Sequence, residues 1–132
     1  VDSSKLLDEI NKVAAKCGKI QDVLLQVNVA REASKSGLTV EDFPEVRDYA
    51  KTLPNVRVKG LMCMAPFFED PEEARPIFRV AHALYEDMKS QFPEGQIEYL
   101  SMGMTHDFEV ALGEGANMIR VGTAIFGNRV YD

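Results

Sequence analysis

Helical stripes and short apolar runs alternate along this chain. In chain order, helices are expected over residues 3–17 and 39–53, from about 72 through 88, and from 105 onward. Strands are expected over residues 23–30, 56–65, 97–100 and 117–126. The connections are long enough for parallel crossovers, so the pattern predicts an α/β fold in which four parallel strands alternate with helices.

An arginine interrupts the last apolar run. Because strand side chains alternate, Arg120 faces the layer opposite to Ile119 and Val121. A buried guanidinium without a partner costs roughly several kcal/mol, so Arg120 needs an acceptor. That acceptor is either an internal carboxylate or a bound ligand. We favour the ligand, because charged groups out of place in an apolar element cluster at functional sites.

The preceding apolar run ends in small residues. Its strand is expected to stop at Ser101, followed by a turn through Gly103 and a short helix with Thr105 as its N-cap. Backbone N–H groups at such a turn can bind an anion, although one glycine turn also has a steric explanation. A second turn, at Gly122 and Thr123, ends the next strand. Two adjacent strand ends can converge on one phosphate, as they do in (β/α)8 barrels.

These motifs resemble the carboxyl-terminal signature of the pyridoxal-phosphate homeostasis proteins, which are single-domain relatives of the alanine racemase barrel domain. The matching segments occur in order along the whole chain: 26–28, 34–37, 59–62, 100–104, Asp107 and 120–127. The resemblance implies an α/β fold that is the carboxyl-terminal half of an alanine-racemase-like (β/α)8 TIM barrel. It also implies pyridoxal 5′-phosphate (PLP) as the cofactor.

The resemblance further implies a role for each candidate site residue. The cofactor phosphate would be bound by Ser101, Gly103, Gly122 and Thr123. Arg120 would point at the pyridine nitrogen and disfavour its protonation, because two positive charges would lie close together at low dielectric. The ring would then be a weaker electron sink, which suits carriage or modest proton transfer better than reactions through a full carbanion.

The lysine that binds this cofactor covalently in the family lies upstream of every motif matched here. Lys35 is rejected for that role, because its polar loop would not lower its pKa; it is expected to order the loop, to contact a phosphate or a partner, or to remain solvated. Four strands are half of the eight that close a barrel. Residues 1–132 are therefore expected to form the carboxyl-terminal part of one PLP-binding barrel domain, and to self-associate through two unpaired sheet edges.

Composition limits the other classes of function. With 45% apolar residues, the 132-residue chain can bury one core of ordinary size. Its net charge of −6 argues against nucleic acid as a partner. The sequence contains neither a long apolar span nor a signal pattern, so a cytoplasmic protein without a membrane partner is expected. Cys17 and Cys63 are expected to be buried and reduced.

Three other features have structural interpretations. The acidic residues between Glu69 and Glu73 could be taken for metal ligands, but they suit the positive end of a helix dipole better. Met62 and Met64 are expected to fill the core. His106 could contact a ligand but is expected to be solvated. The sequence has no catalytic triad and no His/Cys metal spacing, so no metal site is predicted.

Three functions fit these observations. We favour a PLP carrier in intracellular cofactor homeostasis that is not itself an enzyme. The alternative is a PLP-dependent racemase of amino acids, of fold type III, which would need a second proton-transfer group; alanine racemase obtains a tyrosine from a separate β-rich domain. The third is a barrel fragment with a generic phosphate site, against which Arg120 argues. For this chain alone we expect at most noncovalent binding of phosphate or cofactor.

Overall fold

A computed structural model of the protein describes residues 1–31 and 36–127. Four parallel strands form a sheet in the order β1-β2-β3-β4: β1 (Gln21–Val27), β2 (Val56–Cys63), β3 (Tyr99–Met104) and β4 (Met118–Arg120). The helices are α1 (Ser4–Lys16), α2 (Phe43–Ala50), α3 (Arg75–Gln91), α4 (Phe108–Gly113) and α5 (Thr123–Phe126), and a 3-10 turn (Pro71–Ala74) precedes α3. The predicted α/β class is confirmed.

The two faces of the sheet carry different side chains. One face, which we call the helix-covered face, has three fully buried leucines in register across the strands, Leu25, Leu61 and Leu100. The adjacent row points to the opposite side, which we call the open face, and contains Gln26, Met62, Ser101 and Met118. When all crossovers have the same hand, parallel strands in sequential order have their connecting helices on one side of the sheet. The open face is thus the one that a closed barrel would enclose.

Each of the three longer helices contributes a large side chain to the core. Leu7 of α1, Phe43 of α2 and Phe78 of α3 are fully buried in one cluster with the leucine row. Burial of a side chain of this size contributes roughly 1.5–3 kcal/mol. The helical stripes predicted from the sequence therefore point at the sheet.

Strand β3 extends further than its sequence pattern predicts. It continues through Met104, so Ser101 lies inside the strand and the expected stop at Ser101 is wrong. Close packing of α4 against β3 explains why residue 103 is small, because a Cβ at Gly103 would lie 2.7 Å from the Cβ of Ala111. Gly103 also has a φ of 101°, which glycine adopts without the usual steric cost.

Three further expectations are corrected. Strand β4 is shorter than predicted, because residues 123–126 form α5. Helix α4 begins at Phe108, so its N-cap is Asp107 and not Thr105. Cys63 is buried as expected, but Cys17 is exposed, because it follows the last turn of α1 as the C-cap residue.

The strand order leaves β1 and β4 at the edges of the sheet. Part of the β1 edge is nevertheless paired within the chain. The Val1 backbone nitrogen donates to the Leu24 carbonyl, and Gln26 N–H donates to the Val1 carbonyl, both at 2.8 Å. Leu38 forms a parallel bridge with Val27. The expectation of an unpaired edge is therefore wrong for this part of β1.

The described helices include none that combines the length and apolar character needed to cross a membrane.

Candidate functional site

The carboxyl ends of β2, β3 and β4 meet at one edge of the sheet, because the strands are parallel. Cys63 is the last residue of β2, and the last residues of β3 and β4, Met104 and Arg120, are Cα partners. The loops after β3 and β4 contain Thr105 and Gly122. We call these strand ends and loops the carboxyl edge.

Arg120 reaches from β4 to the end of β2, across β3. Its Nη2 donates to the backbone carbonyl of Cys63 at 2.8 Å. Its Nε is buried and has no hydrogen-bond partner among the described residues. A buried donor that lacks an acceptor costs about 1–3 kcal/mol. Arg120 therefore has one acceptor within the described chain and retains a donor that needs another.

The charge of Arg120 is only partly compensated. Its described hydrogen-bond acceptor is a neutral carbonyl and not the internal carboxylate considered as one alternative. Burial lowers the pKa of the Arg120 guanidinium, and the nearby Cys63 and Asp107 side chains offset part of that effect. An incompletely partnered, partly buried cation suits a site where a ligand supplies the missing acceptor.

A hydrogen bond from a backbone N–H to a side-chain hydroxyl joins the loops that follow β3 and β4. Gly122 N–H donates to the Thr105 hydroxyl oxygen at 3.1 Å. Met104 N–H donates to Asp107 Oδ1 at 2.7 Å, and Asp107 N–H donates back to the Met104 carbonyl at 3.2 Å. The two loops thus form one hydrogen-bonded unit.

The predicted site residues differ in accessibility. Gly122 and Thr123 are exposed at the carboxyl edge, next to Arg120 in sequence. Ser101 lies deeper, as the Cα partner of Met118, and is 1% exposed. Ser101 is therefore less accessible to a ligand than Gly122 and Thr123, and Gly103 is buried as well.

The two predicted site glycines have different surroundings. Gly103 is explained by the protein itself, since any side chain there would collide with α4. A Cβ at Gly122, in contrast, would meet no heavy atom within 4 Å, and its φ of −109° is outside the left-handed region that favours glycine. Packing within the described chain does not require glycine at position 122. Space for a ligand would explain the missing side chain.

His106 is exposed, but it is bonded to the loop after β2. Its Nε2 lies 2.6 Å from the Phe68 carbonyl, and its ring centroid lies 4.5 Å from that of Phe67. Because a carbonyl only accepts, Nε2 is the donor. The expectation of a solvated histidine is thus incomplete.

Two further expectations concern lysine and metal. Lys35 and its neighbour Ser34 lie outside the described residues. Within residues 1–31 and 36–127, no group of three or more His, Cys, Asp or Glu side chains is arranged to hold a metal ion. The acidic segment serves the helix start instead, because Asp70 Oδ1 accepts from Glu72 N–H at 3.0 Å.

The chain matches the model of the family described as "Alanine racemase, N-terminal domain" over residues 1–130. The chain belongs to this family. Among curated relatives, the pyridoxal phosphate homeostasis protein of Aquifex aeolicus is 45% identical over 131 residues, which cover 99% of this chain and 57% of that protein. The chain thus spans about half the length of the curated relatives it matches. The predicted resemblance to the homeostasis proteins is confirmed.

Solved structures of PipY from Synechococcus elongatus are similar to this alanine racemase N-terminal domain chain. PipY without PLP has a TM-score of 0.86 at 32% identity, and the match covers 96% of this chain and 59% of PipY. PipY with PLP bound has a TM-score of 0.77 at 30% identity, covering 96% of this chain and 58% of PipY. The predicted fold, half of an alanine-racemase-like barrel, is confirmed.

The carboxyl edge of this family member suits a ligand that supplies a hydrogen-bond acceptor in two respects. The unpaired Nε of Arg120 needs an acceptor, and the backbone at Gly122 is open to an approaching group. The Gly122 N–H, however, already donates to Thr105. A phosphate at this loop would share that amide with the Thr105 hydroxyl.

Proposed function

We propose that this chain forms the phosphate-binding and ring-nitrogen side of a PLP site in a protein of intracellular PLP homeostasis. The observation that carries the proposal is Arg120, a half-buried guanidinium with an unpaired Nε at the carboxyl edge. The names of the curated relatives and the PLP-bound structure of PipY support it.

In this proposal, residues 1–132 are the carboxyl-terminal part of a single PLP-binding barrel domain. The relatives are nearly twice as long as the stretch that they share with this chain. By resemblance, the lysine that binds the cofactor covalently precedes this stretch. This chain would then contribute noncovalent contacts alone.

The phosphate would lie against the loops at the carboxyl edge. Gly122 leaves room for it, and Thr123 offers an exposed hydroxyl and the start of α5. Gly103 and Ser101 would contribute from β3, Gly103 through its backbone because α4 leaves no space for a side chain. Phosphate oxygens are strong acceptors for such backbone and hydroxyl donors.

Arg120 would face the pyridine nitrogen of the cofactor. PLP, when bound, supplies a pyridine ring that withdraws electrons from attached groups. The fixed positive charge of Arg120 would keep a proton off that nitrogen, so the nitrogen would accept a hydrogen bond instead. The Cys63 carbonyl holds the guanidinium in place from the side of β2.

We favour a carrier over an enzyme for this site. A neutral pyridine is a poor sink for the carbanion that a racemase must form, which suits carriage. The racemase alternative has less support, because the curated relatives have the homeostasis name. Racemisation of amino acids by the full-length protein well above the rate of free PLP would contradict the carrier function.

Binding of PLP to the full-length protein tests the proposal. PLP should bind at least about tenfold more tightly than pyridoxal, which lacks the phosphate, a difference of about 1.4 kcal/mol. Arg120→Leu should weaken PLP retention and shift the absorbance of the bound cofactor. Arg79→Leu is the matched control, because Arg79 is exposed and bonds Glu114 away from the carboxyl edge. An Arg120→Leu protein with wild-type affinity and spectrum would refute the role of Arg120.

Self-association is a further part of the proposal. Tyr99, Met104 and Met118 expose apolar surface, and β4 is an edge strand. A second copy could cover these groups and pair the β4 edge. Light scattering of the 132-residue chain should show species larger than a monomer at micromolar concentration, and a clean monomer would exclude this.

A further inference from the structure

We propose that Thr105 is a positioning residue that holds the Gly122 loop in place for the cofactor phosphate. The proposal rests on the proposed function, because it assigns a second residue to the same site. Thr105 is not among the residues to which the resemblance gives a role. Its hydroxyl oxygen accepts the Gly122 N–H at 3.1 Å and so joins two loops that follow different strands.

Gly122 is the N-cap residue of α5 and so fixes where this helix begins. Its carbonyl accepts from Ile125 N–H at 3.0 Å and from Phe126 N–H at 2.7 Å, which are the first hydrogen bonds of α5. Thr123, the proposed phosphate contact, lies between these anchored groups. A shift of Gly122 would therefore move Thr123 with it.

Among the described residues, few other contacts restrain Gly122. A Cβ at this position would have no heavy atom within 4 Å, so side-chain packing does not hold the loop. Helix α5 is four residues long, and Ile125 and Phe126 are exposed, so α5 is not anchored by burial of these large side chains. The hydrogen bond from Gly122 N–H to Thr105 is thus the described contact that ties the start of α5 to β3.

Asp107 in turn fixes Thr105. The reciprocal bonds between Asp107 and Met104 close the turn that contains Thr105, and they begin at the last residue of β3. Met104 is the Cα partner of Arg120, so the same turn is fixed relative to the guanidinium. Asp107 and Thr105 thereby connect the position of the phosphate loop to the position of Arg120.

The test compares Thr105→Val with Thr105→Ser in the full-length protein. Valine keeps the shape of threonine but removes the acceptor, whereas serine keeps the hydroxyl. One net hydrogen bond is worth about 0.5–1.5 kcal/mol, so Thr105→Val should bind PLP about two- to tenfold more weakly. Pyridoxal, which has no phosphate, should bind the wild-type and Thr105→Val proteins equally. Thr105→Ser should match the wild type for both ligands.

Hydrogen exchange of the Gly122 amide supplies a readout that needs no cofactor. The amide should exchange faster in Thr105→Val than in the wild type, and at the wild-type rate in Thr105→Ser. Unchanged PLP affinity in Thr105→Val, or equal losses for PLP and pyridoxal, would overturn the positioning role. A wild-type protein that binds PLP and pyridoxal equally would instead contradict the proposed function, and the exchange rate would still decide whether Thr105 holds the loop.

Discussion

Two arginines show how the helix layer and the carboxyl edge of this molecule differ. In the helix layer, Arg47 of α2 is 8% exposed and is bonded to Asp48 at 3.2 Å and Asp87 at 2.9 Å. At the carboxyl edge, Arg120 has a single carbonyl acceptor in the described chain and an unpaired Nε. The described part of the chain satisfies the first arginine and leaves the second incomplete.

The two glycines of the predicted site differ in the same way: the protein itself explains one of them and does not explain the other. Gly103 is required by the contact between β3 and α4, and its role is complete within the protein. Gly122 lies beside open space that no described side chain fills. An unpaired buried donor and an unfilled space are expected at functional sites, where stability is given up for function. The helix-covered face should therefore behave as a closed core and the carboxyl edge as a surface built for a ligand.

The largest expected difference is in thiol reactivity. The Cys63 side chain is fully buried, and burial raises the pKa of its thiol to about 12, so almost none is thiolate at pH 8. Cys17 is exposed. At pH 8 a thiol reagent should modify Cys17 at least about a hundredfold faster than Cys63, because the thiolate is the reactive form. Modification of both thiols at similar rates in the folded protein would show that the core is open.

Of the two glycines of the predicted site, Gly103 should be the one at which alanine is more destabilising. The new Cβ would lie 2.7 Å from the Ala111 Cβ at a φ of 101°, so overpacking and backbone strain together should lower the free energy of unfolding by about 2–4 kcal/mol. Gly122→Ala is the matched control. It should change that free energy by less than about 0.5 kcal/mol, yet weaken PLP binding by the full-length protein.

Urea unfolding would measure both variants. Equal destabilisation by the two substitutions would contradict the different roles of these glycines. Unchanged PLP affinity in Gly122→Ala would remove the assignment of Gly122 to the ligand.

A smaller effect on folding stability is expected when the pH is lowered. A hydrogen bond from Arg75 holds the pKa of the Glu114 carboxyl below its ordinary value of 4.5. A pKa that is lower in the folded state gives stability that is present above pH 4.5 and is lost as the pH falls through the folded pKa. Glu114→Gln should therefore reduce the shift of the urea midpoint between about pH 6 and about pH 3, which lie on either side of the ordinary pKa of 4.5. Glu94→Gln, at an exposed turn, is the control, and an equal change in both variants would exclude a specific role for Glu114.

The sequence predicts the helix layer better than the carboxyl edge. Helical periodicity is a local property, so the stripes that bury Leu7, Phe43 and Phe78 can be recognised from the order of the residues alone. The extension of β3 through Met104 cannot be recognised in this way, because Ser101 and Gly103 have the composition of a turn and the closeness of α4 is a tertiary effect.

The contacts at the carboxyl edge join residues far apart in the chain. The bond between Gly122 and Thr105 spans 17 positions, and the bond between Arg120 and Cys63 spans 57. The sequence indicates that Arg120 needs an acceptor, but not that a backbone carbonyl provides one. A hydroxyl residue directly after β3 is the available signal for Thr105, and that signal equally suits the predicted N-cap.

The most direct test of the central claim is the free energy of unfolding of full-length wild-type and Arg120→Leu proteins, each measured with and without PLP. Without PLP, Arg120→Leu should be within about 1 kcal/mol of the wild type or more stable, because it removes a buried unpaired donor. With PLP, the wild type should gain stability and Arg120→Leu should gain much less. If Arg120→Leu loses several kcal/mol without PLP and gains as much from PLP as the wild type, then Arg120 serves the fold and not the ligand.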